Sequence, residues 1–149
     1  MTPKRLMLSS SLKMHKKISL VGLDIGEKRI GVAIGDDSVR IAVPLETINV
    51  DGSEISAIKK IIADENADIL VIGYPRNQSG EATAQTQFVK DFADKLIGLT
   101  NKTFFQDESL TSVIAEQRLK AFKKPYSKSD IDAQAASIIL QDYIEANYA

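Results

Sequence analysis

The sequence predicts an α/β domain with a mixed five-stranded sheet, in which an antiparallel three-stranded meander adjoins two parallel strands and helices flank the sheet. Two observations support this prediction. Three β-rich segments follow one another near the N-terminus, and two further apolar strands then alternate with segments of helical period. The expected order of elements is therefore β-β-β-α-β-α-β-α-α.

The first three strands are predicted from short apolar runs and the turns between them. Residues 18–24 and 30–36 flank a polar turn at residues 26–29 and are expected to pair as a hairpin. Residues 39–48 are β-rich but contain Pro44, which has no amide hydrogen to donate and therefore favours an edge strand. Isoleucines at helical spacing follow from Ser53, with Asp51 or Ser53 available as the N-cap.

The second half of the chain alternates strands and helices. Residues 67–73 form an uninterrupted apolar run, which predicts a central strand buried on both faces. A loop over residues 74–80 precedes a helix over 81–96, which Gly98 can end. Residues 102–107 are the last predicted strand. Helices are expected over 110–122 and 131–146, separated by a lysine-rich loop at 123–129.

Composition limits the possible classes of protein. The chain has 149 residues, of which 44% are hydrophobic and 26% charged, as expected for one globular domain. It has no cysteine, which excludes disulfides, thiolate metal sites and cysteine nucleophiles. No apolar run reaches the roughly 18 to 20 residues of a membrane span, and residues 1–17 lack the apolar stretch of a secretory signal. A cytoplasmic location is expected.

Residues 1–17 are basic and serine-rich, and we expect them to be a flexible extension that precedes a single domain over residues 18–149. The formal net charge is -1 and the pI is near 5.9. The charge of the whole molecule therefore gives no attraction to nucleic acid, and any such binding must use a local basic patch.

Acidic residues follow two of the predicted strands. Asp24 closes the first strand two residues before Gly26, and Asp107 and Glu108 close the last strand. In a parallel arrangement these strand ends meet at one edge of the sheet, where open α/β sheets bind their ligands. Only one residue of the Asp107–Glu108 pair needs to point inward. The alternatives are that Asp24 merely opens a turn and that the pair caps the next helix.

A fourth carboxylate, Asp132, is predicted to continue the apolar stripe of the last helix. Ala135, Ala136 and Ile139 lie three, four and seven residues further on, and this stripe should face the sheet. A carboxylate there is unfavourable unless it is paired or binds a metal, although it could instead stabilise the helix dipole. Asp130 is expected to face elsewhere, as a capping or solvent residue.

Three converging carboxylates predict a site for Mg²⁺ or Mn²⁺, held by Asp24, Asp132 and either Glu108 or Asp107. Such ions can activate water and stabilise the leaving oxygen of a phosphodiester, which predicts a nuclease. Tyr126 could stack on a base. The cations available to bind phosphates are Lys28, Arg29, Arg76, Arg118, Lys123, Lys124 and Lys128.

Four motifs together resemble the YqgF family, also called RuvX, over nearly the whole chain after residue 17. They are Asp24-x-Gly-x-Lys-Arg-Ile-Gly-Val-Ala, Val71-Ile72-Gly73-Tyr74-Pro75 with Gly80, Asp107-Glu108-Ser109-Leu110-Thr111-Ser112, and Asp132-Ala-Gln-Ala-Ala-Ser-Ile-Ile-Leu-Gln. The first and last are specific in this order and spacing. The resemblance implies an RNase H-like fold, kinship with the RuvC Holliday junction resolvases, and maturation of the 5′ end of pre-16S ribosomal RNA. It strengthens the assignment of Asp24, Asp107, Glu108 and Asp132 to the site.

Two departures from related sequences bear on the site. The family usually has an arginine after its acidic pair, whereas this chain has Ser109, so a phosphate contact or salt bridge can be missing. Unlike the resolvases, the strand ending in Gly73-Tyr74-Pro75 carries no carboxylate. The second metal ligand must then come from Asp107 or Glu108.

Three other functions are alternatives to this prediction, and the length of the chain argues against one of them. Resolution of branched DNA would require two active sites on a dimer. A sugar kinase of the actin-like class also begins with Asp-x-Gly, but it would need a second domain that 149 residues cannot supply. A non-catalytic RNA-binding or assembly factor would bind structured RNA without a metal. The sequence does not distinguish a monomer from a homodimer.

Overall fold

A computed structural model describes residues 16–75, 82–108 and 111–148. The strands are β1 (Ser19–Ile25), β2 (Arg29–Asp36), β3 (Val43–Asn49), β4 (Ile69–Pro75) and β5 (Lys102–Glu108). The helices are α1 (Glu54–Glu65), α2 (Ala84–Asp94), α3 (Thr111–Ala121) and α4 (Lys128–Tyr148). Most of the predicted N-terminal extension, residues 1–15, lies outside the described residues.

The five strands form one mixed sheet in the order β3-β2-β1-β4-β5. β1, β2 and β3 pair antiparallel, whereas β1, β4 and β5 run parallel. The predicted meander, the two parallel strands and the edge position of β3 are confirmed. β4 is an interior strand, as its apolar sequence requires, but β1 occupies the middle of the sheet.

Successive residues of each strand point to opposite faces of the sheet, so the core has two layers. On one face, Val21 and Leu23 of β1 join a cluster of apolar residues that includes α1 and α2. On the other face, Leu20 packs with Ile139 and Leu140 of α4. We call this second side the α4 face. Helix α3 covers α4 from outside through Ala115, and this double contact explains why residues 135–140 of α4 are all buried.

Several helix boundaries differ from the predictions because polar side chains cap the first turns. α4 begins at Lys128, three residues before the predicted start. Ser127 and Asp130 bond each other's backbone amides in a reciprocal cap, which extends the helix into the lysine-rich segment. α2 begins at Ala84 because Thr83 and Thr86 cap it in the same way.

β3 begins at Val43, four residues after its predicted start. At the start of α1, the residue in the N-cap position is Ser53, but its hydroxyl donates to Asp51 and does not cap the helix. Among the described residues, no helix combines the length and apolarity needed to cross a bilayer.

Glycines allow α4 to approach the sheet very closely. A Cβ atom added at Gly31 of β2 would lie 1.9 Å from the backbone carbonyl oxygen of Asp132, and one at Gly22 of β1 would lie 2.8 Å from Leu140 Cβ. The atom opposing Gly31 belongs to a helix backbone, which cannot rotate away. A side chain at residue 31 would therefore push the first turns of α4 off the sheet.

We expect Gly31→Ala to lower the free energy of unfolding by about 3 kcal/mol or more, because overpacking against a backbone atom has no local relief. Gly98→Ala is the matched control: it meets open space and is disfavoured only by φ of +89°, at a cost of about 1 to 2 kcal/mol. Urea denaturation of both variants measures the difference. An equal loss of stability in the two variants would contradict the close approach of α4 to Gly31.

Candidate active site

Asp24 lies near the carboxyl end of β1, in the middle of the sheet. It is two residues beyond Gly22, which contacts Leu140, so its side chain lies on the α4 face. The register pairs Asp24 with Gly31 of β2. Because Gly31 also touches the backbone of Asp132, this pairing brings the N-terminal turns of α4 next to Asp24.

The two acidic residues at the end of β5 point to opposite faces. Phe104 stacks against Tyr143 of α4, with ring centroids 5.5 Å apart, so Glu108 four residues later also lies on the α4 face. Glu108 Oε2 would lie 2.7 Å from a Cβ at Gly73, which confirms this direction. Asp107 lies two residues after Phe105 and therefore on the same side of β5. The ring of Phe105 contacts Tyr74 on the face opposite α4.

Asp132 completes the set from the second turn of α4. Its carboxylate Oδ2 accepts a hydrogen bond from Arg29 Nε at 2.5 Å, and the two side chains are 23% and 32% exposed. Asp130, by contrast, caps the helix as predicted. The structure thus brings Asp24, Glu108 and Asp132 to one edge and one face of the sheet.

The electrostatics of this edge reflect crowding of negative charge. Burial, followed by the charges of Glu108 and Asp132, raises the pKa of Asp24 from 3.8 to about 8. Burial also raises the pKa of Glu108, although the hydroxyl of Thr111 donates to Glu108 Oε1 at 3.0 Å and opposes that shift. At neutral pH, without a cation, Asp24 therefore keeps its proton.

The predicted basic residues have different surroundings. Lys28, Lys123 and Lys124 are exposed. Lys128 is exposed in the first turn of α4, four residues before Asp132 and therefore on the same side of the helix. Tyr126 is half-buried and donates its hydroxyl hydrogen to Glu116 of α3 at 2.8 Å. Arg76 and Ser109 lie outside the described residues.

Three contributors to the site were not identified from the sequence as site residues. Thr111 is 5% exposed and orients Glu108. Gly31 and Gly73 leave the space that α4 and the Glu108 side chain occupy. All three stand inside the quoted motifs, but their roles depend on contacts between distant segments, which the motifs do not reveal.

The same architecture occurs in solved structures. Thermus thermophilus RuvC in complex with a Holliday junction substrate superposes with a TM-score of 0.53 at 12% identity, covering 87% of this chain and 94% of that one. The fowlpox virus resolvase bound to Holliday junction DNA gives a TM-score of 0.53 at 12% identity, with 87% and 98% covered. The fold therefore places this chain in the class of RNase H-like α/β proteins that includes these resolvases.

Sequence comparison is more specific. The family model for RuvX, described as Holliday junction resolvase, matches residues 18–146, and the chain belongs to this family. A Chloroflexus aurantiacus protein named "Putative pre-16S rRNA nuclease" is 44% identical over 132 residues, covering 85% of this chain and 86% of the relative. A Synechocystis protein of the same name is 39% identical over 137 residues, with 89% and 90% covered. The predicted family and nuclease class are confirmed.

The raised pKa of Asp24 predicts that stability without a cation falls as pH rises. The unfolded chain releases this proton near pH 4, whereas the folded chain keeps it to about pH 8. In EDTA, the free energy of unfolding should therefore decrease between these values, by on the order of a few kcal/mol. Asp24→Asn should remove most of this decrease, being more stable than wild type at pH 8 and similar at pH 4.

Urea denaturation across this pH range checks the prediction. Asp107→Asn is the control, because it removes a carboxylate from the opposite face and should keep the wild-type pH dependence. Two results would contradict a raised pKa at Asp24. One is a wild-type free energy of unfolding that does not change with pH, and the other is an Asp24→Asn variant with the same pH dependence as wild type.

Proposed function

We propose that this chain is a divalent-cation-dependent endonuclease that hydrolyses phosphodiester bonds, with the precursor of 16S ribosomal RNA as its substrate. The observation that carries this proposal is the convergence of Asp24, Glu108 and Asp132 from three separate elements on one face of the sheet edge. Family membership and the names of the relatives support the substrate. We also propose residues 18–149 as the catalytic domain and a cytoplasmic location for the protein.

The donor chemistry fits a hard divalent cation, since carboxylate oxygens are the ligands that Mg²⁺ and Mn²⁺ prefer. The mutual repulsion that raises the pKa of Asp24 is what such a cation would relieve. Across the described residues, no three acidic or histidine side chains are gathered tightly enough to enclose an ion as they stand. The carboxylates would therefore have to move closer together around an ion, and one oxygen of Asp132 is held by Arg29.

The roles of the residues follow from these surroundings. Asp24, Glu108 and Asp132 would hold the cation, which when bound activates water and stabilises charge on the leaving oxygen. Asp24 would lose its proton to solvent in order to hold the cation, and Thr111 keeps Glu108 oriented. Lys28, Arg29, Lys128 and, from outside the described residues, Arg76 would bind phosphates. Lys123 and Lys124 would extend this basic surface along the nucleic acid.

We expect metal-dependent cleavage of an end-labelled 5′ segment of pre-16S RNA in Mg²⁺ or Mn²⁺ and none in EDTA. Asp24→Asn, Glu108→Gln and Asp132→Asn should each reduce the cleavage rate about 100-fold or more. Asp107→Asn is the matched control, because its side chain lies on the other face, and should stay within about tenfold of wild type.

A four-way DNA junction tested in parallel distinguishes the substrates. Paired symmetric cuts in the junction, without cleavage of the RNA, would replace the proposed substrate by branched DNA. Binding of RNA without any cleavage would favour an assembly factor. Cleavage by the three carboxylate variants at the wild-type rate would refute the site.

A further inference from the structure

We propose that Arg29 exchanges partners: it holds the Asp132 carboxylate while no divalent cation is bound, and contacts a phosphate of the nucleic acid once a cation has taken Asp132. This inference rests on the proposed function for the identity of the second partner. It assigns Arg29 as a positioning residue for Asp132 in the cation-free site and as a phosphate contact afterwards.

The ion pair between Arg29 and Asp132 is one that another cation can displace. Arg29 is the first residue of β2, and the contact that the described residues record runs from its Nε to one oxygen of Asp132. Both side chains keep part of their surface in solvent. A single-point ion pair at a partly exposed position is weaker than a bidentate buried one, so another cation can compete for the carboxylate.

The charge balance of the site gives a reason for the pair. Asp132 is one of the two carboxylates whose charge acts on Asp24. Without a divalent cation, Arg29 supplies a positive charge that pairs with Asp132 beside its acidic neighbours. While this pair is intact, no three acidic side chains of the described residues are gathered tightly enough to hold an ion.

A divalent cation on the Asp132 oxygen that Arg29 contacts would displace the guanidinium, because the two positive charges would lie close together and repel each other. Binding of the cation therefore frees Arg29 at the rim of the site. Its planar guanidinium matches a phosphate group, and exposed Lys28 lies beside it in the chain. Cation binding and phosphate binding should consequently strengthen each other, and the coupling is reciprocal.

Mn²⁺ binding, followed by the electron paramagnetic resonance signal of free Mn²⁺, tests the competition without any need for cleavage. Arg29→Gln should bind Mn²⁺ roughly fivefold or more tightly than wild type, because the competitor for Asp132 is gone. Lys28→Gln removes the same charge from the adjacent residue and should change Mn²⁺ affinity much less. In an Asp132→Asn background, Arg29→Gln should no longer tighten Mn²⁺ binding.

The second half of the exchange is tested by RNA binding. Ca²⁺ should strengthen the binding of a single-stranded RNA to wild type by a larger factor than to Arg29→Gln, as measured by fluorescence anisotropy. Arg29→Lys should recover part of the difference, because it restores the charge without the planar fork.

The outcomes separate this inference from the proposed function. Unchanged or weaker Mn²⁺ binding by Arg29→Gln, equal tightening by Lys28→Gln, persistence of the effect in the Asp132→Asn background, or absence of Mn²⁺ binding would each overturn the exchange. An equal gain from Ca²⁺ in wild type and Arg29→Gln would also overturn it. If both results are as expected but wild type cleaves no nucleic acid, the exchange stands and the proposed nuclease function fails.

Discussion

The candidate site depends on how closely helix α4 approaches strand β2. Gly31 has no side chain, so the backbone of Asp132 can lie against it, at a position that any Cβ atom would occupy. Asp24 is the residue paired with Gly31 across the hairpin. One close contact between a strand and a helix therefore brings together two carboxylates that are separated by more than 100 residues in the chain. Their repulsion is a direct consequence of this packing.

The rest of the fold supports this contact. The antiparallel pairing of β1 with β2 fixes Gly31 opposite Asp24, and the parallel pairing of β4 and β5 brings Glu108 to the same edge. Helix α4 is buried on two sides, by the sheet and by α3, so its position is set by more than its first turns. Helix α3 also begins with Thr111, whose hydroxyl orients Glu108. Core packing and site geometry therefore use the same elements.

A site built in this way is strained electrostatically when no cation is present. Asp24 retains a proton, Glu108 has a raised pKa and accepts a hydrogen bond from Thr111, and Asp132 pairs with Arg29. Each carboxylate thus has a different means of reducing its excess charge. A fold that gathers acidic groups must supply such partners, because unpaired carboxylates next to one another in a low-dielectric environment are costly. Under the proposed function, a hard cation would release all three compensations.

The sequence alone determined the element order, the edge position of β3 and the carboxylates at the strand ends. The spacing of apolar residues, the position of Pro44 and the ends of the strands can each be read from neighbouring residues in the chain. It also identified Asp132 on the buried stripe of α4. It could not choose between Asp107 and Glu108. Neighbouring residues on β5 point to opposite faces, but which of them faces α4 is known only from the contacts of Phe104 with Tyr143 and of Phe105 with Tyr74. Nor could it show that Arg29 binds Asp132 or that Thr111 orients Glu108. Those contacts join residues from different elements, and only the packing of α3 and α4 against the sheet brings them within reach.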